Sequence, residues 1–161
     1  MQLTEKAAAE DWRMVQDAML ALGDFYTMTS EPSRARVVYR SAWDFLSAAD
    51  ARLAQRRISL EQVVPLLQPR PDLTVALPFD EKGDAASAKF QTGFIVTQFT
   101  VTRRGELSTI GLVEISPERN ADIETEVKHS LTRHLYRPRI ENGLAVDTPG
   151  QTVRFEFPYP E

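Results

Sequence analysis

Thr152-Val153-Arg154-Phe155-Glu156-Phe157 alternates polar and apolar side chains through six residues. A period of two puts Val153, Phe155 and Phe157 on one face of a strand and Thr152, Arg154 and Glu156 on the other, the pattern of a half-buried strand. Pro158 and Pro160 close it, because proline cannot donate to a ladder. Upstream, Asn142-Gly143 supplies a turn. Before that, Ile123, Val127, Leu131 and Leu135 recur at every fourth position, which predicts a helix beginning at Ser116-Pro117 or Asn120 and stopped by Pro138. Further back, Phe94, Ile95, Val96, Phe99 and Val101 form a β-rich run, Arg103-Arg104-Gly105 a turn, and Leu107 to Ile115 a return run, so a hairpin is expected. Residues 89–161 read as a β-β-α-β domain.

The first part of the chain has a different period. From Thr4 to about Gln62, apolar residues recur at three and four: Trp12, Val15, Met19, Leu22 and Tyr26, then Ala35, Val38, Ala42, Phe45, Ala49 and Leu53. That spacing predicts an αα-hairpin broken at Thr29-Ser30-Glu31-Pro32, with Ser30 as cap and Pro32 in the first turn of the second helix. Ser59 to about Leu67 is expected to be a third, short helix interrupted by Pro65. Between the halves, Pro69, Pro71, Pro78 and the polar run Asp80-Glu81-Lys82-Gly83-Asp84 mark a surface connector. The expected organisation is α+β: helical 1–68, connector 69–88, and the β-β-α-β domain 89–161.

Composition removes several classes of chemistry. Among 161 residues there is no Cys and there are two His, so thiolate metal sites, a cysteine nucleophile and a His-rich metal centre are all unavailable. On one helix, His129 and His134 would point about 140° apart and could not share a ligand. Asp122, Glu124 and Glu126 belong to a first turn, where the helix dipole alone favours carboxylates. No Gly-x-Ser-x-Gly elbow or Gly-rich phosphate loop occurs. The reading is non-enzymatic, with no catalytic residues, no metal and no cofactor. Charge is even along the chain, at net −1, −2 and −1 over 1–68, 69–88 and 89–161. No basic segment is present to bind nucleic acid or an anionic membrane. No apolar stretch reaches the length of about 20 residues that crosses a bilayer, and no signal peptide is visible at Met1.

Two resemblances extend this reading. Leu22-Gly23, Tyr26, Ala35, Tyr39 and Ala42 stand at the spacing of a tetratricopeptide repeat. Met19 replaces the usual Trp, and Ser47 replaces the usual Pro, which lets the second helix run to about Arg57. One such pair buries too little to stand alone, so it is expected to pack on the β-domain, to self-associate, or to end a longer array. The second resemblance covers residues 94–158. Phe99-x-Val101 with Gly105 and a return strand to Ser116, the run Arg137-Pro138-Arg139-Ile140-Glu141-Asn142-Gly143 with Val146, and the final aromatic strand are together similar to the C-terminal domain of the TonB family. The resemblance implies a small sheet on one helix, a periplasmic location, and a last strand that pairs with a segment of an outer-membrane receptor. The family's membrane helix and Pro-rich spacer do not appear upstream. Its Tyr-Pro motif is replaced by Lys89-Phe90-Gln91-Thr92-Gly93.

The functional expectation is β-strand addition along Thr152, Val153, Arg154, Phe155, Glu156 and Phe157. On a sheet edge their outward N–H and C=O groups would be open to a partner strand, with Thr152, Arg154 and Glu156 setting specificity. The partner is then a protein or peptide segment, or a second copy of the chain in a homodimer. The alternative is a tetratricopeptide scaffold that binds a peptide or subunit through its helical hairpin, the β-domain serving for capping or dimerisation.

Overall fold

In the computed structural model, residues 2–73, 90–117 and 120–160 are described. The fold is α+β. Helices α1 (Gln2–Met28), α2 (Pro32–Ser47) and α3 (Asp50–Ser59) come first. α1 and α2 form the expected hairpin. Gly23 lacks the Cβ that would strike the Tyr39 ring, and Ala35 and Ala42 are buried beside Tyr39 and Leu46. Small residues on both helices thus let the axes approach closely. The Tyr39 hydroxyl donates to Asp24 Oδ1 at 2.8 Å and lies 3.0 Å from Thr27 Oγ1. Burial holds its pKa well above the usual tyrosine range.

Three local expectations are corrected. Ser30 is not the cap of α2: the N-cap is Glu31, with no side-chain bond to the helix. Ser30 instead adopts φ 60°, with Ser30 N–H bonded to Thr27 O and Glu31 N–H bonded to Tyr26 O. That pair of bonds is the left-handed termination of α1, so the residue closes one helix instead of opening the next. The second helix does not run to Arg57 either. It stops at Ser47, Ala49 is extended (φ −148°, ψ 134°), and α3 starts at Asp50. The bend brings Arg52 over the Phe45 ring and Arg56 over the Trp43 ring, at 4.3 and 4.2 Å. Finally, the short helix expected at 59–67 is replaced by the strand β1 (Val64–Leu67). Pro65 would leave a helix short of one bond, but a short strand tolerates it.

The second half contains β2 (Phe90–Val101), β3 (Leu107–Ser116), α4 (Ala121–Leu131), β4 (Leu135–Arg137), β5 (Arg139–Glu141), β6 (Leu144–Val146) and β7 (Thr148–Pro160). β2, β3 and β7 form one antiparallel sheet in the order β3-β2-β7. Asn120 caps α4 by accepting from the N–H groups of Asp122 (3.0 Å) and Ile123 (3.1 Å). Ile123, Val127 and Leu131 then pack with Ile95, Phe99, Val101, Tyr136 and Phe157. Fully burying a side chain of this size contributes about 1.5–3 kcal/mol. α4 ends at Leu131, seven residues before Pro138. Tight backbone bonds close its last turn, and Leu135 belongs to β4, which pairs with β1. The small pieces β4, β5 and β6 elaborate the expected β-β-α-β order.

The helical half is joined to the sheet half by the run that begins at Arg137. Arg137 Nε donates to Asp24 Oδ1 at 2.7 Å, and Nη1 donates to Ser59 O at 2.9 Å. Burial alone would lower the Arg137 pKa, but its bonds to Asp24 more than reverse this. Ile140 is buried in the helical core, and its N–H reaches Leu60 O at 2.7 Å. Asn142 and Gly143 both take positive φ in the β5–β6 turn, which seats Gly143 under Trp43.

Candidate functional site

β7 is an edge strand: among the described residues its only ladder partner is β2. Along it, Thr152, Arg154 and Glu156 are exposed, Val153 and Phe155 are half-buried against the core, and Phe157 is buried at 3% exposure. All six residues named from the sequence lie on this one strand. Arg154 Nε is 3.3 Å from Glu156 Oε1, and its guanidinium stacks 3.8 Å from the Phe94 ring centre on β2. The two charges therefore stand on the outer face of the strand.

A groove of about 490 Å³ runs beside β7. Its near wall is Val153 to Glu156, and its far wall is formed by Gln68, Arg70 and Leu73 with His134. Four bonds pin the chain from Gln68 to Asp72 to α4, to β4 and to His134 between them. Gln68 Nε2 donates to the Tyr136 hydroxyl (3.0 Å), and Ser130 Oγ donates to Pro69 O (2.6 Å). His134 Nε2 lies 3.1 Å from Pro69 O, and Asp72 N–H reaches Glu126 Oε1 at 3.4 Å.

His134 follows α4 instead of sitting on it, and it is 2% exposed. A carbonyl can only accept, so Nε2 carries the proton and Nδ1 is the bare acceptor. Nδ1 has no hydrogen-bond partner. Burial lowers the pKa, and the Pro69 bond offsets only part of this, so the ring is neutral at pH 7. The ring sits edge-on to Phe155 with centres 6.2 Å apart, which links the groove wall to β7. The spacing of the sequence placed His134 on the helix and gave no signal of this role. Arg70 and Leu73 fall in the expected connector and Gln68 at the end of the expected helical segment, and none of them carries a sequence signal of this role.

His129, by contrast, is exposed and 3.9 Å from Glu126. No group of three metal-ligating side chains forms among the described residues. No helix among them is long and apolar enough to cross a membrane.

Among solved structures, the chain is similar to the solution structure of the TonB C-terminal domain of Pseudomonas aeruginosa. Identity is 23%, covering 59% of this chain and 84% of that one, with a TM-score of 0.40. It is also similar to a structure of the TonB2 protein from Vibrio anguillarum. There identity is 31%, covering 56% of this chain and 80% of that one, with a TM-score of 0.33. The likeness is to TonB C-terminal domains. No family model matches the chain, and no curated protein does.

Proposed function

We propose that this chain is a non-enzymatic protein-interaction module that takes an extended partner segment as a fourth strand on the free flank of β7. The observation that carries the reading is the coincidence of an edge position with a groove along Val153 to Glu156. Backbone pairing would supply affinity, while Thr152, Arg154 and Glu156 would discriminate among segments. Val153, Phe155 and Phe157 would hold the strand on the core. The sequence resemblance to TonB C-terminal domains supports a periplasmic site of action, with an outer-membrane receptor segment as the partner in this reading. A second copy of the chain using the same flank is the homodimeric form of the same mode.

The test is photo-cross-linking from position 154, with position 113 on β3 as control. A single extended segment captured at 154 and not at 113 supports the reading. Equal capture at both positions, or none at 154, rejects it.

A second reading is favoured by one specific observation. On α1, Met14 (70% exposed), Leu22, Phe25 (52% exposed) and Met28 leave an apolar stripe facing solvent. Such a stripe suits the tetratricopeptide scaffold, in which the helical hairpin takes a partner helix or a further repeat. Loss of binding after Phe25→Asp with β7 unaltered would select that scaffold. Loss after Arg154→Glu would select the strand.

A further inference from the structure

A second cavity, of about 360 Å³, shares no lining residue with the groove beside β7. Ser33 in the first turn of α2, Arg36 one turn on, Arg103 and Arg104 between β2 and β3, and Leu144 on β6 line it. The chain carries a formal charge of −4, yet no acidic side chain lines this cavity. Among the described residues, none of the three guanidinium groups forms an ion pair. Neighbouring Arg34 is already taken by Glu31 at 2.8 Å. Asp147 accepts the backbone N–H of Arg103 at 2.7 Å, not its side chain.

The two arginines of the turn are presented on a fixed base. Thr102 N–H bonds to Glu106 O and Gly105 N–H to Thr102 O, both at 2.8 Å, while Gly105 O accepts from Tyr136 N–H at 2.9 Å. Gly105 is buried at φ +85°, a position where a Cβ would strike the Tyr136 carbonyl. Three like charges from segments nearly seventy residues apart in sequence repel one another unless an anion lies between them.

We infer that this cavity binds a phosphate monoester. Guanidinium forks match phosphate oxygens, and the monoester carries nearly two negative charges at neutral pH. Leu144 (52% exposed) and Ala145 offer an apolar wall to the carbon side of the ester. The inference is independent of strand addition on β7.

Glycerol 3-phosphate titrated at constant ionic strength, followed by amide chemical shifts, is the first arm of the test. Flotation with phosphatidylcholine vesicles containing phosphatidic acid is the second. The expected result is saturable binding, with shifts at residues 33–36 and 102–106. The double variant Arg36→Gln, Arg104→Gln should weaken it about tenfold per arginine removed, and Arg34→Gln should leave it unchanged. All three arginines of the cavity are exposed, so the variants should melt like the unaltered chain. Flotation abolished by the double variant assigns the phosphate to a lipid headgroup, and saturable binding of the free ester without flotation assigns it to a soluble one. The inference is overturned if neither arm shows binding, if the double variant binds as well, or if sodium chloride alone reproduces the shifts.

Discussion

β7 and β3 flank the same central strand, but their pairing with it differs. β7 keeps an unbroken register with β2 from Gln151 to Pro160. β3 slips twice: Val113 is an extra residue between Leu112 and Glu114, and a second slip surrounds Thr109, which takes φ 53°. Each bulge interrupts the row of outward N–H and C=O groups and twists the edge, a common protection against unwanted strand pairing. β7 has no such interruption over the six residues in question, and a groove lies beside it. One sheet thus has a blunted edge and a regular one, and only the regular one is suited to receive a strand.

The largest expected difference between the two edges is in stability. Phe157→Ala should cost about 3–5 kcal/mol, because the ring fills the space over Gly93 and packs in the core. Val113→Ala, at a side chain 60% exposed, should stay within about 0.5 kcal/mol. Urea denaturation of both variants measures the contrast.

Deleting Val113 should come next. It removes one bulge, costs about 1 kcal/mol, and restores a flatter β3 edge that self-associates, visible as a rise in sedimentation coefficient. Unchanged sedimentation would mean the bulge does not protect β3.

A smaller, pH-dependent effect is confined to the β7 side. In the unfolded chain the His134 imidazole takes a proton near pH 6.5, whereas burial lowers its pKa in the fold. The unfolded state therefore binds more protons as pH falls. The stability held by the neutral ring is complete above about pH 6.5 and is lost as pH drops through the folded value. The urea midpoint of the unaltered chain should fall more steeply between pH 7 and 5 than that of His134→Gln. Equal slopes would remove His134 from the account.

The smallest effect on stability, within about 0.5 kcal/mol, is expected for Arg154→Glu, because that side chain is exposed. Its effect on a docked segment should be several-fold, read by titration with the cross-linked peptide.

The parts legible in the sequence are those with local causes. The alternation of Val153, Phe155 and Phe157 reflects the pleat itself, and Ile123, Val127 and Leu131 reflect the helical period. Asn142-Gly143 was readable because both residues tolerate positive φ. The misread parts depend on distant partners. Leu135 continues the fourfold spacing but pairs in β4 with Leu67, and the run around Pro65 becomes a strand only because β4 is there. Ala48 and Ala49 carry no breaking signal, yet the helix bends there. The groove is hidden for the same reason. Its far wall exists because Pro69 O is held by Ser130 and His134, more than sixty residues away in sequence.

The most direct test is amide hydrogen exchange of the chain with and without the segment captured at position 154. If that segment adds as a strand, exchange should slow at alternate residues between Gln151 and Phe157, with β3 unchanged. Slowing confined to α1 and α2, with the β7 amides unaffected, would contradict docking on β7.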